Sequence, residues 1–414
     1  MHDLIFVGGG FRTTTFLASR PELLARDTVV IERASRWGAG AFDDLDAVSS
    51  SNGSGFFRHI DHDGAFAWAL DDPVIGPVAR ADQPVGLKDV SCALSRLAEA
   101  VGDALGAPGV RLGRQVTRID VDSASGAPVT VTLDNGETLH ALICVLGTGR
   151  HEVLHSDLAP WSRKVWPSAD ILSITRRAEL EGLLQEHAGG RIVIAGNSHS
   201  AFSALRVLLD LCSAHRSRTP PYRPPSIDIV HRRRARLAYP DLAQARQEQV
   251  PAREELAREA QDVCPKTGIV FRDSGLRHQS RSLFLDVWSG RLPTVRLHQA
   301  SGLVDCAGLF EAADLVVQAL GYEGQIPEIR VDENLAHGPG QNRPLEPGAD
   351  GFLHLGRVRL SPLAAIRVEP TPPHLRDHHQ YAVDLYERLG AALTQRLSES
   401  AMIWDRRAVI EKTK

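Results

Sequence analysis

Cysteine is scarce in this chain of 414 residues, and none of its five cysteines belongs to a C-x-x-C pair. The five positions are Cys92, Cys144, Cys212, Cys264 and Cys306. Their spacing excludes the redox dithiol on which disulfide reductases depend, and it favours a reducing compartment without a disulfide framework. The chain also lacks an apolar run of ~18 residues, so the sequence predicts no membrane-spanning helix and no membrane partner.

A large excess of one charge is absent as well. The formal net charge is −4, whereas a dedicated nucleic-acid-binding domain is strongly basic, so we expect no nucleic-acid partner. The first residues lead directly into an apolar segment, which predicts no signal peptide. At ~150 residues per domain, the length predicts two or three domains. We therefore expect a cytoplasmic protein, and the sequence leaves open whether it forms a homo-oligomer.

The N-terminal segment contains the most informative motif. Residues 3–7 (Asp-Leu-Ile-Phe-Val) predict a buried strand, and the next three residues, Gly8, Gly9 and Gly10, predict a tight turn before a helix over residues 14–20. Glycines let a pyrophosphate approach the backbone, and the N–H groups at the helix N-terminus attract its charge. The motif therefore predicts a dinucleotide-binding site.

An acidic residue stands where such a site requires one. A second predicted strand, residues 28–31, ends at Glu32, which lies about 20 residues past Gly10, as a ribose-binding acid does. Arg33 and Trp37 follow it and are included among the candidate cofactor-binding residues. The third glycine position of G-x-G-x-x-G is Thr13, which is small but not glycine.

The segment after this site admits two interpretations. Small residues dominate positions 49–55, as in a loop folded around a ligand or in an ordinary exposed loop. His59 and His62 flank Asp61, but no further ligand follows at a diagnostic spacing. A polar loop is therefore favoured there, and no metal is predicted.

The strand-turn-helix pattern recurs in the middle of the chain. Residues 191–195 predict a strand, which is followed by Gly196-Asn197-Ser198-His199-Ser200-Ala201 and a helix through residue 211. The next predicted strand, 227–230, leads into His231 and then Arg232, Arg233 and Arg234. A carboxylate at this place binds a ribose 2′-hydroxyl, whereas guanidinium groups bind a 2′-phosphate. The first unit therefore suits FAD and the second suits NADPH.

Three further apolar segments end in glycine, where backbone can approach a ligand at the edge of a sheet. They are residues 141–146 before Gly147-Thr148-Gly149, residues 314–320 before Gly321-Tyr322, and residues 352–355 before Gly356. A final helix is predicted near residues 374–397. The arginine-rich segments 275–281 and 290–293 suit phosphate or carboxylate binding and suit a solvated surface equally.

The order of these elements resembles that of the two-dinucleotide-binding-domain flavoprotein superfamily. Within it, the Gly-x-Ser-x-Ser-Ala turn, the arginine run and the late Gly-Tyr are similar to those of the class B flavoprotein monooxygenases, in particular the lysine/ornithine N-hydroxylase branch. The F-x-G-x-x-x-H-x-x-x-W/F fingerprint of Baeyer–Villiger enzymes is not found between the two turns, and residues 165–170 are only loosely similar to the matching N-hydroxylase segment. The substrate class therefore stays open.

The resemblance implies an α/β fold with two Rossmann-like dinucleotide-binding domains, the NADPH domain being inserted into the FAD domain. It implies an FAD domain over 1–160, an NADPH domain with a helical insertion over 161–310, and a return of the FAD domain over 311–414. The implied cofactor-binding residues are Gly8, Gly9, Gly10, Thr13, Glu32, Arg33, Trp37, Gly147, Thr148, Gly149, Gly196, Asn197, Ser198, Ser200, Arg232, Arg233, Gly321 and Gly356.

The resemblance also implies an activity: an FAD-containing, NADPH-dependent monooxygenase that uses molecular oxygen to hydroxylate a small amine or amino-acid-like substrate through a flavin hydroperoxide. Asn52 and Ser200 are the candidates for shaping the oxygen site, in a pocket where residues 49–63 and 272–281 meet. An NADPH-dependent reductase or dehydrogenase with another electron acceptor is the main alternative. A hydrolase would need glycine at the end of the 196–200 turn and leaves Gly8 to Glu32 unexplained. A non-catalytic nucleotide sensor is the last alternative.

Overall fold

A computed structural model describes most of the chain. The described residues are 1–107, 109–122, 128–215, 222–247, 263–264, 268–271, 275–324, 326–338, 345–355, 358–366 and 383–399. Two β-sheets, each covered by helices, organise these residues. We refer to the larger sheet with its helices as the first unit and to the smaller sheet with its helices as the second unit.

The larger sheet has eleven strands within the described ranges. In chain order they are His2–Val7, Thr28–Glu32, Val110–Leu112, Val116–Val121, Val129–Leu133, Thr138–Leu146, Glu328–Val331, Asn334–His337, Leu345–Pro347, Phe352–Leu355 and Val358–Ala365. His2–Val7 lies at its centre, parallel to Thr28–Glu32 on one side and to Thr138–Leu146 on the other. Such doubly flanked parallel strands are apolar throughout, as residues 4–7 are.

The second sheet is entirely parallel. Its strands, in spatial order, are Val165–Pro167, Leu315–Gln318, Arg191–Ala195, Ser226–His231 and Val295–Gln299. All of them fall in sequence between the early and late strands of the first sheet. A short antiparallel pair, Arg150–His151 with Glu323–Gly324, lies where the chain leaves the first unit and where it returns.

The predicted α/β fold with two Rossmann-like units is confirmed, with one strand placed differently. We assigned Leu315–Gln318 to the returning part of the FAD domain, but it pairs with Arg191–Ala195 in the second sheet, Ile192 opposite Leu315. A short, fully buried strand carries no information about which sheet it joins, because the pattern of buried residues is the same in both sheets. The remaining domain boundaries stay predictions.

The helices cover the faces of both sheets. Those of the described part are Phe11–Ser19, Ser54–Phe57, Ile75–Ala79, Leu87–Leu105, Ser168–Leu172, Arg177–Glu186, His199–His215, Leu242–Gln247, His278–Trp288, Ala307–Glu311 and 383–399. Short 3₁₀ segments are Pro21–Leu23, Gly40–Asp44, Ala67–Leu70, Ser156–Lys164 and Val304–Cys306. Among the described helices, none combines the length and apolarity that are needed to cross a bilayer.

The C-terminal helix 383–399 supports the first helix of the chain. Tyr386 is buried, its ring packs edge-on against Phe16 with centroids 5.3 Å apart, and its hydroxyl lies 2.9 Å from that of Thr15. Leu389 and Leu393 continue the same buried stripe, as the sequence predicted. The predicted start of this helix near residue 374 lies outside the described residues.

Candidate functional site

The first glycine turn, residues 8–13, has a backbone that only glycine can form at its first position. Gly8 has φ +94°, and a Cβ atom there would lie 2.6 Å from the carbonyl oxygen of Gly147. Its N–H donates to the Ile31 oxygen at 2.8 Å. The turn is thereby fixed against both neighbouring strands of the parallel sheet, with the N-terminus of helix Phe11–Ser19 directly behind it.

Thr13 occupies the third glycine position without opening the turn. Its side chain is fully buried, and its hydroxyl donates to the Gly8 carbonyl at 2.6 Å. A Cβ atom on Gly147 would collide with this hydroxyl. Thr13 therefore packs beneath the turn. Its side chain fits there because Gly147, at the end of the facing strand, has no side chain.

Glu32 ends the second strand beside the turn. One carboxylate oxygen accepts the Gly9 N–H at 2.7 Å and the other accepts the Ala34 N–H at 2.9 Å. An alanine at position 9 would place its Cβ 3.1 Å from Trp37 Cβ and 3.2 Å from Glu32 Cβ. The acid predicted from the sequence is thus held against the glycine turn by backbone donors.

A cavity of about 910 Å³ lies against this turn and extends to the second unit. Nine of the predicted cofactor-binding residues line it: Gly8, Gly10, Glu32, Arg33, Trp37, Gly147, Thr148, Gly149 and Ser200. Residues 49–51 contribute from the first unit and residues 277–280 from the second. These two groups belong to the segments that we expected to meet. Residues 272–274 of the second segment lie outside the described residues.

The second glycine turn, residues 196–201, repeats the first. Gly196 has φ +124°, its N–H donates to the Val230 oxygen at 2.8 Å, and a Cβ atom on it would collide with the Ala319 carbonyl. Helix His199–His215 follows it. The Asn197 side chain donates to the Arg233 carbonyl at 2.6 Å, which ties the turn to the basic segment.

The basic segment follows strand Ser226–His231. Arg232 and Arg233 are exposed, and neither forms an ion pair with any residue in the described part of the chain. His231 is buried, its Nδ1–H donates to the Arg233 carbonyl at 2.9 Å, and burial lowers its pKa. Two uncompensated guanidinium groups therefore stand where the first unit has a carboxylate.

His199 opens the helix of the second unit and lines the cavity. Burial, with the Arg277 guanidinium beside it, lowers the pKa of His199 to about 4. Its Nε2 lies 3.2 Å from the Gly275 carbonyl, which can only accept. The imidazole is therefore neutral at pH 7, with its proton on Nε2 and Nδ1 left as the acceptor.

Several predicted site residues do not reach the cavity. Residues 49–51 line the cavity, but Asn52 is exposed at the end of strand Val48–Asn52, which pairs with Pro84–Gly86, and does not line it. This contradicts its place at an oxygen site. Others lie outside the lining but in or beside a turn or the basic segment: Gly9, Thr13, Gly196, Asn197, Ser198, Arg232, Arg233 and Gly321. Gly356 lies outside the described residues.

Several lining residues were missed from the sequence. Phe11 and Arg12 are the first residues of the first helix. Their position directly after Gly10 could have indicated that they lie next to a bound ligand. Phe42, Leu45 and the pair of His199 with Arg277 reach the cavity only through tertiary packing. Throughout the described residues, no group of three or more His, Cys, Asp or Glu side chains is arranged to hold a metal ion.

Known proteins of similar sequence or structure are hydroxylases and monooxygenases. The chain is 27% identical over 333 residues to a CMP-5′-(3-aminopropyl)phosphonate hydroxylase from Streptomyces rubellomurinus, an alignment of 74% of this chain and 73% of that protein. No protein-family model matches. The structure superposes on an ornithine hydroxylase from Pseudomonas aeruginosa with a TM-score of 0.61 and 15% identity, over 96% of this chain and 100% of that one.

A second solved structure has the same fold. It is an FAD-bound cadaverine monooxygenase of the desferrioxamine pathway of Erwinia amylovora, with a TM-score of 0.62 and 14% identity, over 95% of each chain. The fold of this protein is therefore that of the class B flavin-dependent monooxygenases. The resemblance that the sequence motifs indicated is confirmed at the level of the fold.

Proposed function

We propose that this protein is an FAD-containing, NADPH-dependent monooxygenase that hydroxylates a small-molecule amine with molecular oxygen. The observation that carries the proposal is that one continuous cavity is bordered by the first glycine turn of one unit and by the helix after the second glycine turn of the other. Such a cavity brings two dinucleotides into contact. The hydroxylase and monooxygenase relatives then favour oxygenation over electron transfer to another acceptor.

The first unit fits FAD. Gly8 and Gly147 leave a cradle that a Cβ atom would fill, and helix Phe11–Ser19 presents its N-terminus there with no acidic residue in its first turn. Glu32, already oriented by two backbone donors, is placed for a ribose hydroxyl. When bound, FAD and NADPH together supply the electrons and the oxygen activation that a hydroxylation needs.

The second unit fits NADPH. Gly196 provides the equivalent turn, and Arg232 with Arg233 provides guanidinium groups for the 2′-phosphate. His199, being neutral, adds no charge at the N-terminus of its helix. Ser200 lines the cavity beside it and keeps its proposed role near the oxygen site.

Part of the cavity wall is apolar at the place where the two units meet. Phe42, Phe56, Leu45 and Leu172 line it, the first three from the first unit and the last from the second. The Phe42 and Phe56 rings stand edge to face with centroids 5.9 Å apart. Shielding this place from water would limit side reactions in which NADPH electrons reduce oxygen without hydroxylation of the substrate.

The substrate that we propose is an amine. The Streptomyces relative is named for an aminopropyl phosphonate joined to CMP, and the structural neighbours are named for ornithine and cadaverine. Two carboxylates line the cavity, Glu32 and Asp43, and both are already engaged, the second by Arg36 at 2.6 Å and by Ser91 at 2.9 Å. Arginines line it as well, so the wall also suits a substrate with an acidic group.

The proposal is tested with purified, FAD-loaded protein, NADPH and a panel of CMP-5′-(3-aminopropyl)phosphonate, ornithine, lysine and cadaverine. Oxygen consumption that rises with one amine, together with a hydroxylamine product in stoichiometric yield, is the expected result. NADPH oxidation that proceeds anaerobically with an artificial acceptor but never yields hydroxylated amine would support the reductase instead. A chain that cannot be loaded with FAD would refute both.

A further inference from the structure

A short piece of each unit pairs with the other. Leu45 and Ser173 form an antiparallel β-bridge. The Asp46 N–H donates to the Leu172 carbonyl and the Ile174 N–H donates to the Asp44 carbonyl, both at 2.8 Å. Residues 44–46 begin at the last residue of the first unit's 3₁₀ segment Gly40–Asp44, and residues 172–175 begin at the last residue of the second unit's helix Ser168–Leu172. We refer to these two segments as the inter-unit clamp.

The Asp44 side chain makes the densest set of contacts in the clamp. Its carboxylate accepts the Thr175 N–H at 2.9 Å, the Thr175 hydroxyl at 3.0 Å and the Ser173 hydroxyl at 2.5 Å. Burial alone would raise the pKa of Asp44, but these hydrogen bonds outweigh it and hold the pKa below the ordinary value. One charged side chain of the first unit is thus satisfied entirely by donors of the second.

The other charged contact of the clamp is weaker. Arg177 pairs with Asp46 at 2.5 Å, but the Asp46 side chain is 63% exposed, and an exposed ion pair contributes little to stability because water screens it. Asp44 is therefore the residue on which the side-chain part of the clamp depends.

The clamp lies at the wall of the functional cavity. Leu45 and Leu172, one from each segment, line the cavity next to each other in the bridge. The clamp is thus a noncovalent connection between the units at the place where two bound dinucleotides would meet. It is separate from the antiparallel pair Arg150–His151 with Glu323–Gly324, where the chain itself crosses.

We propose that the inter-unit clamp holds the two units in the one relative orientation in which NADPH reduces FAD, and that Asp44 is its positioning residue. The reduction is a two-electron hydride transfer that oxidises NADPH to NADP⁺. The part of the proposal that concerns reduction of FAD by NADPH rests on the proposed function. The holding of the two units is a property of the chain alone.

The first experiment is a cross-link in the ligand-free protein. Leu45 and Ser173 form a non-hydrogen-bonded antiparallel pair, whose Cα atoms are ~4.5 Å apart, within the range of disulfides. Leu45→Cys with Ser173→Cys should form a disulfide rapidly under mild oxidation. Because Ser173→Cys already removes one donor to Asp44, adding Asp44→Ala removes the two remaining contacts with Thr175, and this should slow disulfide formation on the order of tenfold. Failure to cross-link, or equal rates with and without Asp44, would overturn the clamp whatever the protein's activity.

The second experiment measures NADPH-driven reduction of bound FAD by anaerobic stopped-flow. Asp44→Ala should lower the rate constant on the order of tenfold and leave the Kd for NADPH and reduction by dithionite unchanged, and Asp44→Asn should lie between. The control is Glu179→Gln, whose ion pair with Arg176 stays within the second unit. Restoring the rate in Asp44→Ala by the disulfide is the expected rescue.

The two experiments separate the two proposals. A parent protein that is not reduced by NADPH refutes the proposed function, and the cross-linking rates still decide whether Asp44 holds the units together. An Asp44→Ala protein that is reduced as fast as the parent, or a cross-linked parent that binds NADPH but is not reduced by it, refutes the clamp's role in positioning.

Discussion

The two glycine turns have the same backbone frame and different side-chain chemistry. Each turn is held by two hydrogen bonds of 2.8 Å to neighbouring strands, and the pairs correspond position by position: Gly8 N–H to Ile31 and Gly147 N–H to Val7 in the first unit, Gly196 N–H to Val230 and Ala319 N–H to Ala195 in the second. In both, the helix begins three residues after the first glycine. The frame therefore specifies a dinucleotide but not which one.

The difference begins one residue past the frame. After Ile31 stands Glu32, whose carboxylate accepts the N–H of the turn itself. After Val230 stands His231, which is buried and donates to the Arg233 carbonyl, and the next two residues, Arg232 and Arg233, are exposed. An acid fixed by the turn selects a ribose hydroxyl, whereas free guanidinium groups select a phosphate. Cofactor choice is thus a matter of charge at one edge of an otherwise common structure.

The largest effect should come from filling either turn. Gly8→Ala adds strain at φ +94° and a collision with Gly147, whereas Gly196→Ala adds them at φ +124° against Ala319. We expect cofactor binding to weaken on the order of 100-fold in each case. The two variants should differ in kind: Gly8→Ala loses FAD and is colourless, and Gly196→Ala stays yellow but is no longer reduced by NADPH.

A control glycine with a positive φ but no close neighbour distinguishes the effect of backbone strain from the effect of a steric collision. Gly136, in the hairpin turn between two strands of the first sheet, has φ +83° with open space around it. Gly136→Ala should keep FAD content and NADPH reduction while losing some thermal stability. Retention of full FAD occupancy by Gly8→Ala would show that the first turn does not hold the cofactor.

The next effect concerns the residue that opens each helix, Phe11 in the first unit and His199 in the second. The pKa of His199 is lowered from 6.5 to about 4, so the unfolded chain binds a proton before the folded one does as the pH falls. The free energy of unfolding should therefore fall by up to about 3 kcal/mol between pH 6.5 and pH 4. Above pH 6.5 His199 is neutral in both states and causes no loss of stability.

This prediction is checked with Tm measured across that pH range. His199→Gln, which keeps a donor for the Gly275 carbonyl, should flatten the decline of Tm below pH 6.5. The phenylalanine at the equivalent position of the first unit contributes no such decline. His62→Gln, at an exposed histidine, is the control. Parallel pH profiles for His199→Gln and the parent would contradict the lowered pKa.

The part of this comparison that sequence could predict is the part that is local in the chain. A strand, a glycine turn, a helix and an acid or arginine after the next strand all lie within residues 2–32 of the first unit and 191–233 of the second, and hydrophobic runs and glycine sterics mark each of them. Both turns, Glu32 and the arginine run were found in this way.

What sequence could not predict depends on how the two sheets lie against each other. Arg277 reaches His199, and Leu45 reaches Ser173, across long stretches of chain with no periodicity that connects them. Asn52 was predicted to shape the oxygen site because it lies on the segment after the ribose-binding acid, but at the end of a strand that pairs with Pro84–Gly86 it is exposed and does not line the cavity. Local pattern gives the pieces of such a site and not their mutual placement.

A smaller effect should distinguish the two charged edges. Arg232→Ala should weaken NADPH binding about tenfold, through loss of a charge-assisted hydrogen bond at an exposed site, and leave NADH binding unchanged. Glu32→Gln should instead weaken the retention of FAD, and it should leave the preference for NADPH over NADH unchanged. Titration of FAD-loaded protein with each nicotinamide measures both.

Arg296→Ala is the control for this pair, because Arg296 is equally exposed on Val295–Gln299, the edge strand beside the basic segment. It should leave both nicotinamide affinities unchanged. If Arg232→Ala weakened NADPH and NADH alike, the arginine would act on the pyrophosphate or on the fold, and the 2′-phosphate assignment would be wrong.

The smallest effect concerns the third position of each turn, where the two units divide the available volume differently. The first places Thr13 on the helix and Gly147 on the facing strand; the second places Ala201 and Ala319 at these positions. Thr13→Val keeps the shape and removes the hydrogen bond to the Gly8 carbonyl. The loss should be about 1 kcal/mol, seen as a Tm lower by about 2 °C with FAD still bound.

The reason to expect a bound cofactor is geometric. Thr13 is fully buried and does not line the cavity, so its hydroxyl holds the turn without touching a ligand, and valine leaves the φ of Gly8 and the space at Gly147 as they are. Gly147→Ala alone should be far worse than Thr13→Val, because the added methyl collides with the Thr13 hydroxyl, and Thr13→Ala combined with Gly147→Ala should be much less severe than the sum of the two, because alanine at position 13 removes the colliding branch. If the two substitutions were simply additive in Tm, the exchange of volume between Thr13 and Gly147 would not be what permits a threonine at the third glycine position.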